Sequence, residues 1–148
     1  NKELIYMSLT ENDIDYIATV RNVKQFFKEF QQLRVVSGLS AKIRLRNDGY
    51  LEEPNFRSFH LNSQIRHGKQ VIIGAQGLVN GFTEVLNGMD ELQRLILIRC
   101  YIDGKRDMAI ALETNYGIAQ YKRIKRKSVI ELATRVGVVV KKQFDEVS

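Results

Sequence analysis

Tyr16, Val20, Val23, Phe27 and Phe30 recur at alternating steps of four and three residues. At about 100° per residue such positions fall on one side of an α-helix, and Ile14, Ile17, Phe26 and Leu33 widen the stripe. The spacing predicts an amphipathic helix from about Glu11 to about Val35, filling an amino-terminal region at 1–36. Ser8 and Thr10, each followed three residues later by an acid, offer capping boxes at its start. The apolar stripe needs a partner. Packing on the chain's own domain is favoured over a homodimer seam, because the repeat stops short of the three or four heptads of a coiled coil.

Residues 37–64 change character. Gly38, Asn47, Asp48, Gly49, Pro54 and Asn55 punctuate them, which suits a loop or linker and makes this the less regular middle of the chain. Within it "KIRLR" is either a short strand or irregular. Lys42, Arg44 and Arg46 alternate with apolar residues and would share one side of an extended segment, where solvation is favoured over phosphate contact. From Ile65 to Asn87 a helix is expected again, in competition with a strand at "QVIIG". Gly74, Gly77 and Gly81 lie on one side of that helix. Each costs roughly 1 kcal/mol relative to alanine, so the helix requires the close approach of another backbone in return. Their spacing is not that of a nucleotide-binding fingerprint.

The chain has 148 residues, 44% of them hydrophobic, enough for one ordinary core. No apolar run is long enough to cross a bilayer and no secretory signal opens the chain, so a cytoplasmic location is expected. Cys100 is the single cysteine, which excludes an intramolecular disulfide and every cysteine-rich zinc site. The net charge of +6 is unevenly placed. Between residues 105 and 142, Lys and Arg outnumber Asp and Glu by ten to three, whereas the remainder is close to neutral. A concentrated basic segment is the electrostatic footprint of a polyanion partner.

That segment belongs to a helical region at 65–148. "DELQRLILIRCYI", Asp90 to Ile102, places Leu92, Leu95, Ile96 and Ile102 on one face and stops at Asp103 and Gly104. Asp90 and Glu91 suit a helix start, where negative charge meets the dipole. A short helix follows from Asp107, with Ile110 inward and Ala111 small. Asn115 can adopt the left-handed conformation of a sharp turn, Tyr116 serves as an apolar anchor and Gly117 as a cap. A third helix runs from Ile118 to about Arg135. The pair at 107–135 has the pattern of a helix-turn-helix, with Tyr121 and Ile124 facing inward. In projection Tyr121, Ile124, Ser128 and Leu132 fall together, while Ala119, Lys122, Arg123, Arg126 and Lys127 gather opposite and Lys125 leans toward the apolar side. No acid occurs between Glu113 and Glu131. The expected partner is double-stranded DNA. Lys122, Arg123 and Arg126 are expected at the groove and its phosphates, Ala119 and Gln120 near base edges, and Lys105, Arg106, Lys125 and Lys127 on phosphate alone.

The stretch "DELQRLILIRCYIDGKRDMAIALETNYGIAQYKRIKRKSVIELA" resembles the carboxy-terminal part of the ArpU family of phage transcriptional regulators, itself similar to region four of bacterial sigma factors. Arg94 with the apolar run to Tyr101, then Asp107, Ile110 and Ala111, then Tyr121, Arg123, Ile124, Lys125 and Arg126 carry the likeness. "RNVKQFFKEF" matches that family's opening helix more loosely. Thr114 replaces a usual leucine, and Asn115, Tyr116 and Gly117 replace a glycine, an apolar residue and a serine. The resemblance implies a mainly α fold with a sigma-like helix-turn-helix, and a phage or prophage late-gene activator that binds promoter DNA and host RNA polymerase.

Enzyme readings have little support, and no cofactor is expected. His60 and His67 stand seven apart with no cysteine near, and the adjacent pair Glu52 and Glu53 would point different ways on regular structure. Two other functions use the same scaffold: a terminase small subunit-like packaging protein, and an RNA polymerase adapter that does not touch DNA.

Overall fold

The computed structural model describes residues 11–56 and 68–143. They form five α-helices, α1 (Tyr16–Val36), α2 (Lys69–Asn87), α3 (Glu91–Tyr101), α4 (Asp107–Glu113) and α5 (Ile118–Val136), after a 3-10 turn at Glu11–Asp13. Among the described residues there is no strand. The β pairing there consists of two isolated bridges, Ile14 with Lys141 and Leu45 with Leu51. The chain is mainly helical.

α1 begins with its apolar repeat at Tyr16, later than the start near Glu11 that the capping boxes at Ser8 and Thr10 suggest. Its cap is Asp15, whose carboxylate accepts from the Ala18 amide at 3.0 Å; Ser8 and Thr10 lie outside the described residues. The delay has a backbone cause. Asp15 N–H donates to the Val140 carbonyl and Lys142 N–H to that of Asp13, each at 2.8 Å, so residues 13–15 pair with the carboxy-terminal segment instead of extending the helix. The stripe itself is buried on α2 and α5. Phe26 and Phe30 meet Phe82 at centroid distances of 4.8 and 5.7 Å, and Phe27 stacks on Tyr101 at 5.6 Å. Burying such a ring stabilises the fold by about 1.5–3 kcal/mol. The phenylalanines are therefore engaged within the chain, which leaves Ile17, Val35, Val36 and the polar flank of α1 for any second copy.

Residues 37–56 are irregular, as expected, but they are not a free linker. Ile43 and Leu51 enter the main core. A turn closed by Arg46 N–H on the Tyr50 carbonyl at 2.7 Å returns the segment on itself, with Gly49 at a φ of +84°. That φ is what favours glycine; a Cβ there would also meet the Glu91 side chain, which is exposed and can swing aside. Arg94 of α3 fastens the turn. Fully buried, it donates to the carbonyls of Gly49 at 2.6 Å and Met89 at 2.8 Å, with the Tyr50 ring 4.6 Å from its guanidinium.

α2 covers "QVIIG", so the strand alternative is excluded. The close approach expected at Gly74, Gly77 and Gly81 is not found: no atom among the described residues would lie within 4 Å of a Cβ added at any of them. α3 departs further from expectation. Its buried residues are Arg94, Ile96, Leu97 and Ile98, whereas Leu92 and Leu95 are half-buried. The helix lies between two clusters: Leu97 and Ile98 belong to the main core, and Ile96 to a smaller one with Ile110, Ala111 and Tyr121. A single-stripe projection cannot represent a helix covered on two sides. Its start is capped by Asp90, which accepts from the Gln93 amide at 3.4 Å, and it stops at Gly104 with a φ of +66°.

Candidate functional site

α4 and α5 are joined by residues 114–117, and the turn is set by backbone chemistry. Asn115 takes a φ of 60°, which Asn tolerates better than most residues, and the Tyr116 amide donates back to the Ala111 carbonyl at 3.0 Å. Gly117 is the extended N-cap of α5, without a side-chain hydrogen bond. Tyr116 is exposed, not the anchor expected. The anchoring falls to Ile110, Ala111 and Tyr121, all buried between α4 and α5.

Asp107, the first residue of α4, clamps the two helices. One carboxylate oxygen accepts from the Tyr121 hydroxyl at 3.0 Å and from the Lys125 ammonium at 2.9 Å. Burial alone would raise the Asp107 carboxyl, but the hydrogen bonds from Lys125 and Tyr121 outweigh it and hold the group below the ordinary carboxylate range. Burial, then the adjacent carboxylate, pushes the Tyr121 hydroxyl up. Burial likewise pushes the half-buried Cys100 thiol up, against the opposing pull of Lys125.

On α5, Tyr121, Ser128, Val129, Leu132 and Ala133 face the interior. Ala119, Gln120, Lys122, Arg123 and Lys127 are exposed together on the other side. Gln120 accepts from Arg123 at 2.8 Å and 3.1 Å, which pre-orients the guanidinium beside the amide. One expected member of this face is placed differently: Arg126 is half-buried with its guanidinium 4.5 Å from the Tyr16 ring. Lys125 leans inward as its projection suggests and is held by Asp107. The projection of an isolated helix contains no neighbour, and here the start of α1 crosses the basic half. Tyr16, Asp107, Lys122, Arg123, Lys125 and Arg126 line a groove of about 380 Å³. Before α4, Arg106 is exposed at the N-cap, and Lys105 lies 3.6 Å from Glu113, which also pairs with Arg99 at 3.1 Å.

Protein Gp66 of Listeria phage A118 is 37% identical to this chain over 131 residues, spanning 86% of the chain and 91% of the phage protein. The chain belongs to the Gp66 family. No protein-family model matches it, so the ArpU resemblance extends here to phage kinship and no further. No solved structure matches it either. In this Gp66-family protein, no helix among the described residues is long and apolar enough to cross a membrane. Among the same residues no three His, Cys, Asp or Glu side chains gather as a metal site. His60 and His67 lie outside them, while Glu52 and Glu53 are exposed on the loop.

Two residues that shape the candidate site are visible in the sequence only in a lesser role. Tyr16 was legible only as one apolar member of a stripe, yet it supports Arg126. Asp107 was legible as a helix start, yet its larger role depends on partners fourteen and eighteen residues away.

Proposed function

We propose that this Gp66-family protein is a sequence-specific DNA-binding transcriptional regulator that inserts α5 into the major groove of double-stranded promoter DNA. The observation that carries the reading is the exposed face of Gln120, Lys122, Arg123 and Lys127 on a helix whose other side is buried. No acidic side chain interrupts that stretch of sequence. Arg123 and Gln120 are the side chains suited to base edges, arginine pairing with guanine and glutamine with adenine. Lys122, Lys127 and Arg106 supply phosphate contacts that fix register. Arg126 acts from behind, through its seat on Tyr16. The finer reading, a phage or prophage late-gene activator working in the host cytoplasm without a cofactor or catalytic activity, follows from the ArpU resemblance and agrees with the phage relative.

The experiment is binding to fragments of the surrounding genome over a salt series, with K122A/R123A beside the wild type. One fragment is expected to be held above competitor DNA. The double variant should weaken that binding, through the lost Arg123 base contact, and reduce the slope of log affinity against log salt by about 1, because the one phosphate that Lys122 neutralises accounts for roughly 0.9 of that slope. Equal binding of all fragments, with the variant indistinguishable from wild type, refutes the reading. A packaging protein of the terminase small-subunit kind would instead sediment as a ring.

A second reading has its own observation. Met108 and Leu112, 69% and 81% exposed, form one apolar edge of α4. They suit a protein contact such as RNA polymerase, whether beside DNA binding or in its place. M108S/L112S should abolish polymerase capture and leave DNA affinity unchanged.

A further inference from the structure

We propose that the segment Ser40 to Arg46 is a second DNA-contacting surface, in which Lys42 and Arg44 hold the phosphodiester backbone of the duplex that α5 engages. The proposal rests on the DNA-binding reading of α5 and extends it to a part of the chain with no helix.

The segment is presented on a backbone fastened from behind. Arg34 of α1 donates to the Ser40 carbonyl at 2.8 Å and to that of Lys42 at 3.4 Å. Gln31 donates to the Ala41 carbonyl at 3.2 Å, and the Ser40 hydroxyl accepts from the Lys42 amide at 3.1 Å. Ile43 is buried in the main core, so extended geometry turns Lys42 and Arg44 outward on either side of it. Burial of Ile43 accounts for their direction but not for their charge. Neither forms an ion pair with a described residue. Arg46, by contrast, is committed to Asp48.

The surroundings choose the partner. Lys42 and Arg44 border an open groove of about 710 Å³ whose far wall is Arg99, Ile102 and Asp103 at the end of α3. Arg99 shares Glu113 with Lys105, which precedes the exposed Arg106 at the cap of α4. Cations thus continue from the segment to the start of the two-helix unit, interleaved with carboxylates: Arg99 pairs with both Asp103 and Glu113, and exposed Glu52 lies across the turn from Arg44, its amide donating to the Arg44 carbonyl. A polyanion with evenly repeated charge can follow such a path, and a duplex already seated on α5 supplies one at high local concentration. Backbone contacts of this kind add affinity and orientation without reading bases.

The test uses the full chain and the fragment preferred by the wild type, with K42Q/R44Q, K42R/R44K and K122A/R123A compared over a salt series and by hydroxyl-radical footprinting. K42Q/R44Q is expected to lower the salt slope by about 2, to shorten the footprint at one edge and to leave the ranking of fragments unchanged. K42R/R44K, which keeps both charges, should retain the wild-type slope and footprint. If K42Q/R44Q matches wild type while K122A/R123A weakens binding, the second surface is refuted and the α5 reading stands. If neither variant alters binding, both fall. Unchanged DNA binding by K42Q/R44Q together with failure to capture an acidic protein assigns the segment to that protein and overturns the proposal.

Discussion

Asp107 couples charge to architecture. Its carboxylate is deprotonated at lower pH in the folded chain than in the unfolded one, because Lys125 and Tyr121 donate to it against the cost of burial. A depressed folded pKa contributes stability above the unfolded value, about 3.9, and that contribution disappears as pH falls through the lower folded value. The Asp107 side chain is 35% exposed, so solvent screening holds its worth to about 1 kcal/mol. Urea unfolding of D107N should show that deficit at pH 7 and a gap that closes as pH falls through the folded value. Seated between Tyr16 and the groove, Arg126 illustrates the limit of single-helix reasoning. Its place on the basic half of α5 was legible; its cation–π seat on α1 was not, since nothing in sequence spacing says which helix crosses which.

At the scale of elements, α4, the turn and α5 were the most legible part of the chain. Asn115 supplies the left-handed residue, Ile110 and Tyr121 the inward pair, and Gly117 the cap of α5, each a local choice that tertiary packing did not override. Legibility failed where an element has two neighbours, as in α3, or where an irregular segment is held by distant side chains, as in residues 37–56. It failed on α2 for another reason. The cost of glycine in a helix suggested a compensating contact, and Gly74 and Gly77 are exposed with none among the described residues. The cost is therefore uncompensated there. G74A/G77A should raise stability by about 0.5–1 kcal/mol per site, read as a higher thermal midpoint. A lower midpoint would mean that something else occupies that face.

Over the whole molecule, α3 joins the two clusters and Arg94 ties the loop to it, so loop, small cluster and main core should unfold together. R94M removes the donors of the Gly49 and Met89 carbonyls while keeping most of the volume. It should cost on the order of 3 kcal/mol and accelerate amide exchange in residues 43–51 before the rest; uniform acceleration would show that the loop is no weaker a unit than the helices. The closing contacts of α1 join parts of the chain far apart in sequence. The Thr19 hydroxyl accepts from the Val140 amide, 121 residues later, and the Asn22 amide reaches Val138. A ribosome adding 5–20 residues each second leaves α1 without that clasp for roughly ten seconds. A helix that emerges well before its clasp is thus among the last to be secured, and that interval is when a nascent-chain chaperone has most to hold.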